Sequence, residues 1–233
     1  MIRTGEKKGI HADITIFVQQ NRKAMEKKRI LITGASGFIG STIVARALAL
    51  GYETWAGIRS GSSLRYLQDE RLRLIDLHYG DPEKLTRQLR EEMNSAGSFD
   101  AVIHVAGLTK ARRKEDFDRV NYCYTRHLAE ALQKTGALTG TFVLLSSLSV
   151  MGPGDEKGYE PFCANSIPHP NTAYGKSKLK AEQYLMSQTT LPWLIIRPTG
   201  VYGPRDKDYL ILIKAVKKGL SVGAGFRKQL LTF

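Results

Sequence analysis

Cysteine is scarce. The 233 residues hold two, Cys123 and Cys163, in unrelated contexts without the spacing of a metal site, a redox pair or a disulfide framework. Both read as reduced thiols, and no metal site is expected. Long apolar runs are missing too. No stretch approaches the ~20 residues that a membrane span needs. The opening "MIRTGEKKGIHADITIFVQQNRKAMEKKR" has neither an apolar core of signal-peptide length nor a small-residue cleavage site. A cytoplasmic protein without a membrane partner is the expectation. Internal repeats and low-complexity segments are absent. Against these absences stands a composition 42% hydrophobic and 24% charged, that of a soluble globular protein.

Charge of one sign is in excess, at a formal +13, which raises the question of nucleic acid. The distribution answers it. Residues 1–29 carry eight Lys or Arg against three Asp or Glu, and residues 205–233 carry seven against two. Most of the excess therefore lies at the two ends, with no interleaving of basic and aromatic residues between them. Solvated termini, and no nucleic-acid partner, are expected.

From Arg29 onward, short apolar runs alternate with helical patterns. "RILITG", "ETWAGI", "LRLIDL", "DAVIHVAG", "TFVLLSS" and "LPWLIIRP" read as strands. "FIGSTIVARALALG" has helical spacing and closes on Gly51; "DPEKLTRQLREEM" opens with Pro82 in the first turn. "EDFDRVNYCYTRHLAEALQKTG" reads as one long helix. Strands alternating with helices, and too uniformly apolar to expose one face, predict an α/β fold: a doubly wound, mostly parallel sheet with helices on both faces. Residues 1–24 read as an N-terminal extension or alternative start, 25–204 as the nucleotide-binding domain, and 205–233 as the beginning of a substrate-binding region that is incomplete.

"TGASGFIG" places Gly34, Gly37 and Gly40 between the first strand and the first helix, one residue wider than the usual dinucleotide fingerprint. Gly34 permits the turn, Gly37 the approach of backbone to a pyrophosphate, and Gly40 the packing of helix on strand. The helix start, with Ser36, Phe38 and Ile39, then offers N–H groups to the phosphates. After the second strand the chain reads "TWAGIRSGSS", with Arg59 and no acid until Asp69. An acid there selects NAD and an arginine suits the 2′-phosphate of NADP, so NADP is expected, with NAD as the other choice. Further on, "YGKSK" sets Tyr174 and Lys178 one helical turn apart.

With "DAVIHVAG", "VNYCYTRHLAEAL", "LLSSLSVMG" and "RPTGVYGPRD" in order between and after these, the chain resembles the extended branch of the short-chain dehydrogenase/reductases, the NAD(P)-dependent epimerase/dehydratase family. The resemblance runs from about Lys28 to Lys214. It implies a catalytic Ser147, Tyr174 and Lys178, with Ser146 as the alternative serine, and adds Asn121 from the helix after the fourth strand. It implies that Val105, Ala106 and Gly107 pass under the cofactor and that Pro198 borders the nicotinamide. The adenine contact falls on Asp76-Leu77 or on His78-Tyr79. Met151 stands where many relatives carry tyrosine. In such a site an ammonium one turn away, together with the positive charge of an oxidised nicotinamide, lowers the phenol's pKa from near ~10. Tyr174 then moves a proton while hydride passes to or from the nicotinamide. The partners implied are a small-molecule substrate, such as a nucleotide sugar or another carbonyl compound, and a second copy of the chain joined through a four-helix bundle. A cofactor-binding sensor or scaffold without turnover is the alternative reading.

Overall fold

The first strand shows why this chain builds a parallel sheet. In β1 (Arg29–Thr33), Ile30 and Ile32 enter one core layer and Leu31 the other, because successive strand side chains point to opposite faces. A strand apolar on both faces needs cover on both, which crossover helices supply. The computed structural model describes residues 28–155, 158, 160–163 and 165–220. It contains β1, α1 (Phe38–Ala49), β2 (Glu53–Ile58), β3 (Arg73–Asp76), α2 (Pro82–Ala96), β4 (Phe99–His104), α3 (Lys114–Phe117), α4 (Tyr124–Thr135), β5 (Leu138–Leu145), α5 (Ala173–Met186), β6 (Trp193–Ile196) and α6 (Asp208–Lys217). The proposed extension at residues 1–24, Met25 and the strand-like "KQLLTF" lie outside the described residues.

The sheet has six strands in the order β3-β2-β1-β4-β5-β6, every pairing parallel, the doubly wound arrangement with its switch point between β1 and β4. The larger core layer joins Leu31, Trp55, Phe99, Val102 and Phe142 to the helices α2, α4 and α5. The smaller one packs Ile30, Ile32 and Ala56 on Val44, Ala47 and Leu48 of α1. Leu128, Leu132, Ala181 and Leu185 are fully buried in the chain's own core. The apolar positions of "RHLAEAL" and "AEQYLM" are thus largely consumed there, Met186 excepted, which stays exposed on the outer face.

The long helix expected after β4 runs unbroken over residues 114–135, closed by Gly136 with φ 66°, and holds a π-helical stretch Asp118–Cys123 between α3 and α4 that the sequence reading does not anticipate. A π turn widens a helix locally and is common at functional sites; here it carries Asn121. Among the described residues, no helix is long and apolar enough to cross a membrane, and no three His, Cys, Asp or Glu side chains cluster as metal ligands would.

Candidate functional site

The strands end their C-terminal edges on one cavity of about 840 Å³. Its floor is set by β1. Gly34 turns there with φ 62°, and a Cβ on it would lie 2.7 Å from the Ala106 nitrogen. A Cβ on Gly40 would lie 2.2 Å from the Gly34 carbonyl oxygen. The loop therefore admits no side chain at either point. The helices differ at their starts. Asp81 caps α2 by accepting from Lys84 N–H, and Thr172 caps α5 by accepting from Gly175 N–H. Gly37 begins α1 with no capping side chain and no acid in the first turn, leaving its N–H groups and positive dipole end open. That donor set fits the pyrophosphate of a dinucleotide.

All the residues expected at the cofactor border this cavity: Gly34 and Ser36 through Gly40, Arg59, Val105 through Gly107, and Pro198. Ser147, Tyr174 and Lys178 border it as well. Ser147 begins a short 3-10 turn, Leu148–Val150, with its Oγ accepting from Ser149 N–H at 3.1 Å. The same hydroxyl donates to Ser149 Oγ at 3.1 Å and lies close enough to the Tyr174 phenol to favour its ionised form. Ser146 also borders the cavity, but its hydroxyl is buried and donates to the Glu182 carboxylate. The geometry thus leaves Ser147 as the serine facing the phenol. Lys178 is 4% exposed and donates to the Leu145 carbonyl at 2.8 Å. Burial lowers its pKa to about 8, with the Glu182 carboxylate opposing.

Three expectations are modified. In the fold without cofactor the Tyr174 pKa is raised: burial dominates, and the nearby Ser147 hydroxyl only opposes it. The Lys178 ammonium is engaged with the Leu145 carbonyl. Asn121 does not border the cavity. It is buried, accepts from Leu108 N–H at 2.8 Å, and donates to Leu108 O and Ser177 Oγ at 3.0 Å each. It positions the loop after β4. Of the two registers for the adenine contact, Asp76-Leu77 does not border the cavity and Asp76 accepts from Ser60 N–H, whereas in His78-Tyr79 the histidine bonds Gln88 and Tyr79 reaches the wall. Met151 is buried, its sulfur 3.3 Å from an Arg197 nitrogen.

A buried polar chain behind the site was not anticipated. Ala106 N–H donates to Thr33 Oγ1, which meets His104 Nδ1 at 2.8 Å; His104 Nε2 meets Thr125 Oγ1 at 3.0 Å, and that hydroxyl donates to Asn121 O. Thr125 spends its only proton on Asn121, so His104 must donate through Nε2 and accept at Nδ1. Burial and the Lys178 charge hold its pKa at about 3, and the ring stays neutral. The clue in the sequence was a histidine inside the apolar run "VIHV". Glu182 and Arg197 were missed as well. Glu182 lies one further turn along α5 from Lys178, on the face that carries Tyr174, and holds Arg197 at 2.6 Å.

Comparison with known proteins settles the family. The sequence profile of the NAD dependent epimerase/dehydratase family matches residues 30–225. The chain belongs to the NAD-dependent epimerase/dehydratase family. Among family relatives, it is 33% identical to the ceramide reductase of Caulobacter vibrioides (79% of this chain, 50% of that one). It is 31% identical to the GDP-6-deoxy-D-mannose reductase of Pseudomonas aeruginosa (82% and 58%). The UDP-glucose 4-epimerase of Thermus thermophilus, solved with NAD, superposes with a TM-score of 0.70 at 26% identity, covering 83% of this chain and 64% of that one. The chain thus spans between half and three-fifths of the length of these two curated relatives.

Proposed function

We propose that this chain carries the cofactor-binding and proton-transferring part of an NADP-dependent oxidoreductase, epimerase or dehydratase. It acts on a hydroxyl or carbonyl carbon of a small substrate, a nucleotide sugar or another carbonyl compound. The carrying observation is the meeting of the Tyr174 phenol, the Ser147 hydroxyl and the Lys178 ammonium on one wall of a cavity whose far wall is the uncapped start of α1. The reductases and the epimerase among the relatives differ in substrate but share chemistry at a carbon bearing oxygen.

The bound nicotinamide supplies the hydride acceptor or donor. The chain supplies the rest. Ser147 Oγ hydrogen-bonds the substrate oxygen, and Tyr174 Oη gives it a proton in reduction or takes one in oxidation. Lys178 keeps two ammonium protons beyond the one donated to Leu145, enough to hold a ribose hydroxyl and to favour the phenolate once it forms. A phenol raised by burial is protonated at neutral pH, which poises the resting site for reduction.

The preference for NADP rests on Arg59, exposed at the end of β2 beside Ser62 and Ser63. The carboxylates nearby are engaged: Asp69 is paired with Arg71, and Asp76, at the neighbouring strand end, accepts from Ser60 N–H. Calorimetric titration with NADPH and NADH tests it. We expect tighter NADPH, with Arg59→Ala reducing the preference about tenfold; tighter NADH in the wild type overturns the NADP assignment. Cofactor binding without turnover of any carbonyl or nucleotide-sugar substrate favours a sensor. A homodimer is part of the proposal, with sedimentation velocity as its check.

A further inference from the structure

The loop between β2 and β3 and the loop after β6 meet at the cavity mouth through a ring and two guanidinium groups. The Arg205 guanidinium carbon lies 4.6 Å from the Tyr66 ring centre, and that of Arg65 lies 5.5 Å from the same centre. Both arginines and Tyr66 border the cavity, as does Arg59. Two cations on one ring repel unless an anion lies near them. Among the described residues, no carboxylate pairs with Arg59, Arg65 or Arg205. The acids on the same wall are engaged elsewhere. Asp206 accepts from the N–H groups of Asp208 and Tyr209, and Asp208 holds Lys110 at 2.7 Å.

Arg205 carries two further marks. Its Nη1 is buried and makes no hydrogen bond, a costly state for a charged donor. It is also the non-glycine residue with positive φ among the described residues, at 79°, a conformation held against steric preference. The loop that carries it, Val201–Pro204, shares a second hollow of about 280 Å³ with Phe38 and Ile39 of α1, which brings Arg205 to the side of the cavity facing the glycine loop.

We infer that Arg205, with Arg65 and Tyr66, forms an anion-binding point that takes a phosphoryl group of the bound ligand. The inference rests on the nucleotide-binding reading above and extends it to residues outside the glycine loop. The stacked, planar guanidinium carries several donors in one fork for a phosphoryl oxygen, a role that lysine's point charge fills only partly. Two phosphoryl sources share this chemistry: the cofactor's phosphates and a phosphate on the substrate.

Arg205→Gly is the direct test, because glycine adopts φ 79° without strain and the fold keeps its loop. Wild type, Arg205→Gly and Arg205→Lys are titrated by calorimetry with NADPH, with NADH, and with UDP after cofactor saturation. The expected result is a loss of about ten- to hundredfold in Arg205→Gly, partly recovered in Arg205→Lys. A loss on NADPH alone assigns the 2′-phosphate. An equal loss on NADPH and NADH assigns the pyrophosphate, and a loss on UDP alone assigns the substrate's phosphate. Affinities within twofold of wild type for all three ligands overturn the inference while leaving the proposed function intact. So does a loss that Arg205→Lys does not recover and that comes with a lower melting temperature. A wild-type chain that binds none of the three overturns the nucleotide-binding reading, and the inference falls with it.

Discussion

At each end of the sheet, two guanidinium groups flank one aromatic ring. At the N-terminal edge of the strands, Arg29 and Arg73 lie 4.4 and 4.9 Å from the Trp55 ring centre. At the C-terminal edge, Arg65 and Arg205 flank Tyr66. The difference lies in what surrounds them. Glu53 lies 3.6 Å from Arg29 and 3.3 Å from Arg73, and Glu92 takes the Trp55 indole N–H at 2.6 Å. Arg29 Nε and Nη2 make no hydrogen bond, yet its charge has a carboxylate beside it and borders neither cavity. At the other edge the same grouping lines a cavity without a compensating acid. Similar side-chain chemistry is structural where its charge is balanced by a carboxylate, and on our inference serves a ligand where it is not.

The comparison breaks or holds on a series of measurements. The largest effect is expected at the reacting wall: Tyr174→Phe lowers turnover by about 10²–10⁴-fold while the melting temperature stays close to wild type. Activity assays and calorimetric unfolding check both halves. Next come the two rings. Trp55→Ala costs about 3–5 kcal/mol of stability in urea denaturation and leaves the folded protein's cofactor affinity unchanged. Tyr66→Ala does the reverse, weakening cofactor several-fold with little change in the denaturation midpoint. Equal destabilisation by both would erase the contrast between the two ends.

Glu182→Gln sharpens the contrast by joining its two halves. It removes the negative charge beside Arg197 while leaving Ser146 an amide oxygen in place of a carboxylate, and is expected to cost about 3–4 kcal/mol and to lower turnover through the adjoining Ser147 turn. A variant as stable and as active as wild type removes that link. The smallest effect is one of pH. Burial lowers Lys178 from 10.5 to about 8 in the ligand-free fold, so between those values the unfolded chain binds more protons and stability rises with pH. Denaturation of wild type and Lys178→Met from pH 7 to 11 should show a difference on the order of 2–3 kcal/mol closing as pH rises through that window. A constant difference would mean that Lys178 is not held in a desolvated site.

Much of the fold was legible because the signals that specify it are local. β1 alternates its apolar residues between two core layers, and the Asp81-Pro82 start of α2 appears where it was read. The long helix after β4 was legible too, but not the π turn within it, where Asn121 bonds Leu108, thirteen residues away. At the site, the glycines and the Tyr174–Lys178 spacing were visible as motifs. The direction of the Tyr174 pKa shift was not, since burial is a property of the surroundings and not of the spacing.

Period, glycine placement and turn residues are written along the chain, and they alone determined that this sequence would make a doubly wound sheet with a nucleotide-type loop. Which arginine meets a carboxylate and which is left without one is decided through space. Arg197 finds Glu182 fifteen residues away, whereas Arg205 reaches Tyr66, from a distant loop, and no acid. Only the packed chain sets those distances, because electrostatic energy depends on separation and burial, and neither is a function of position in sequence.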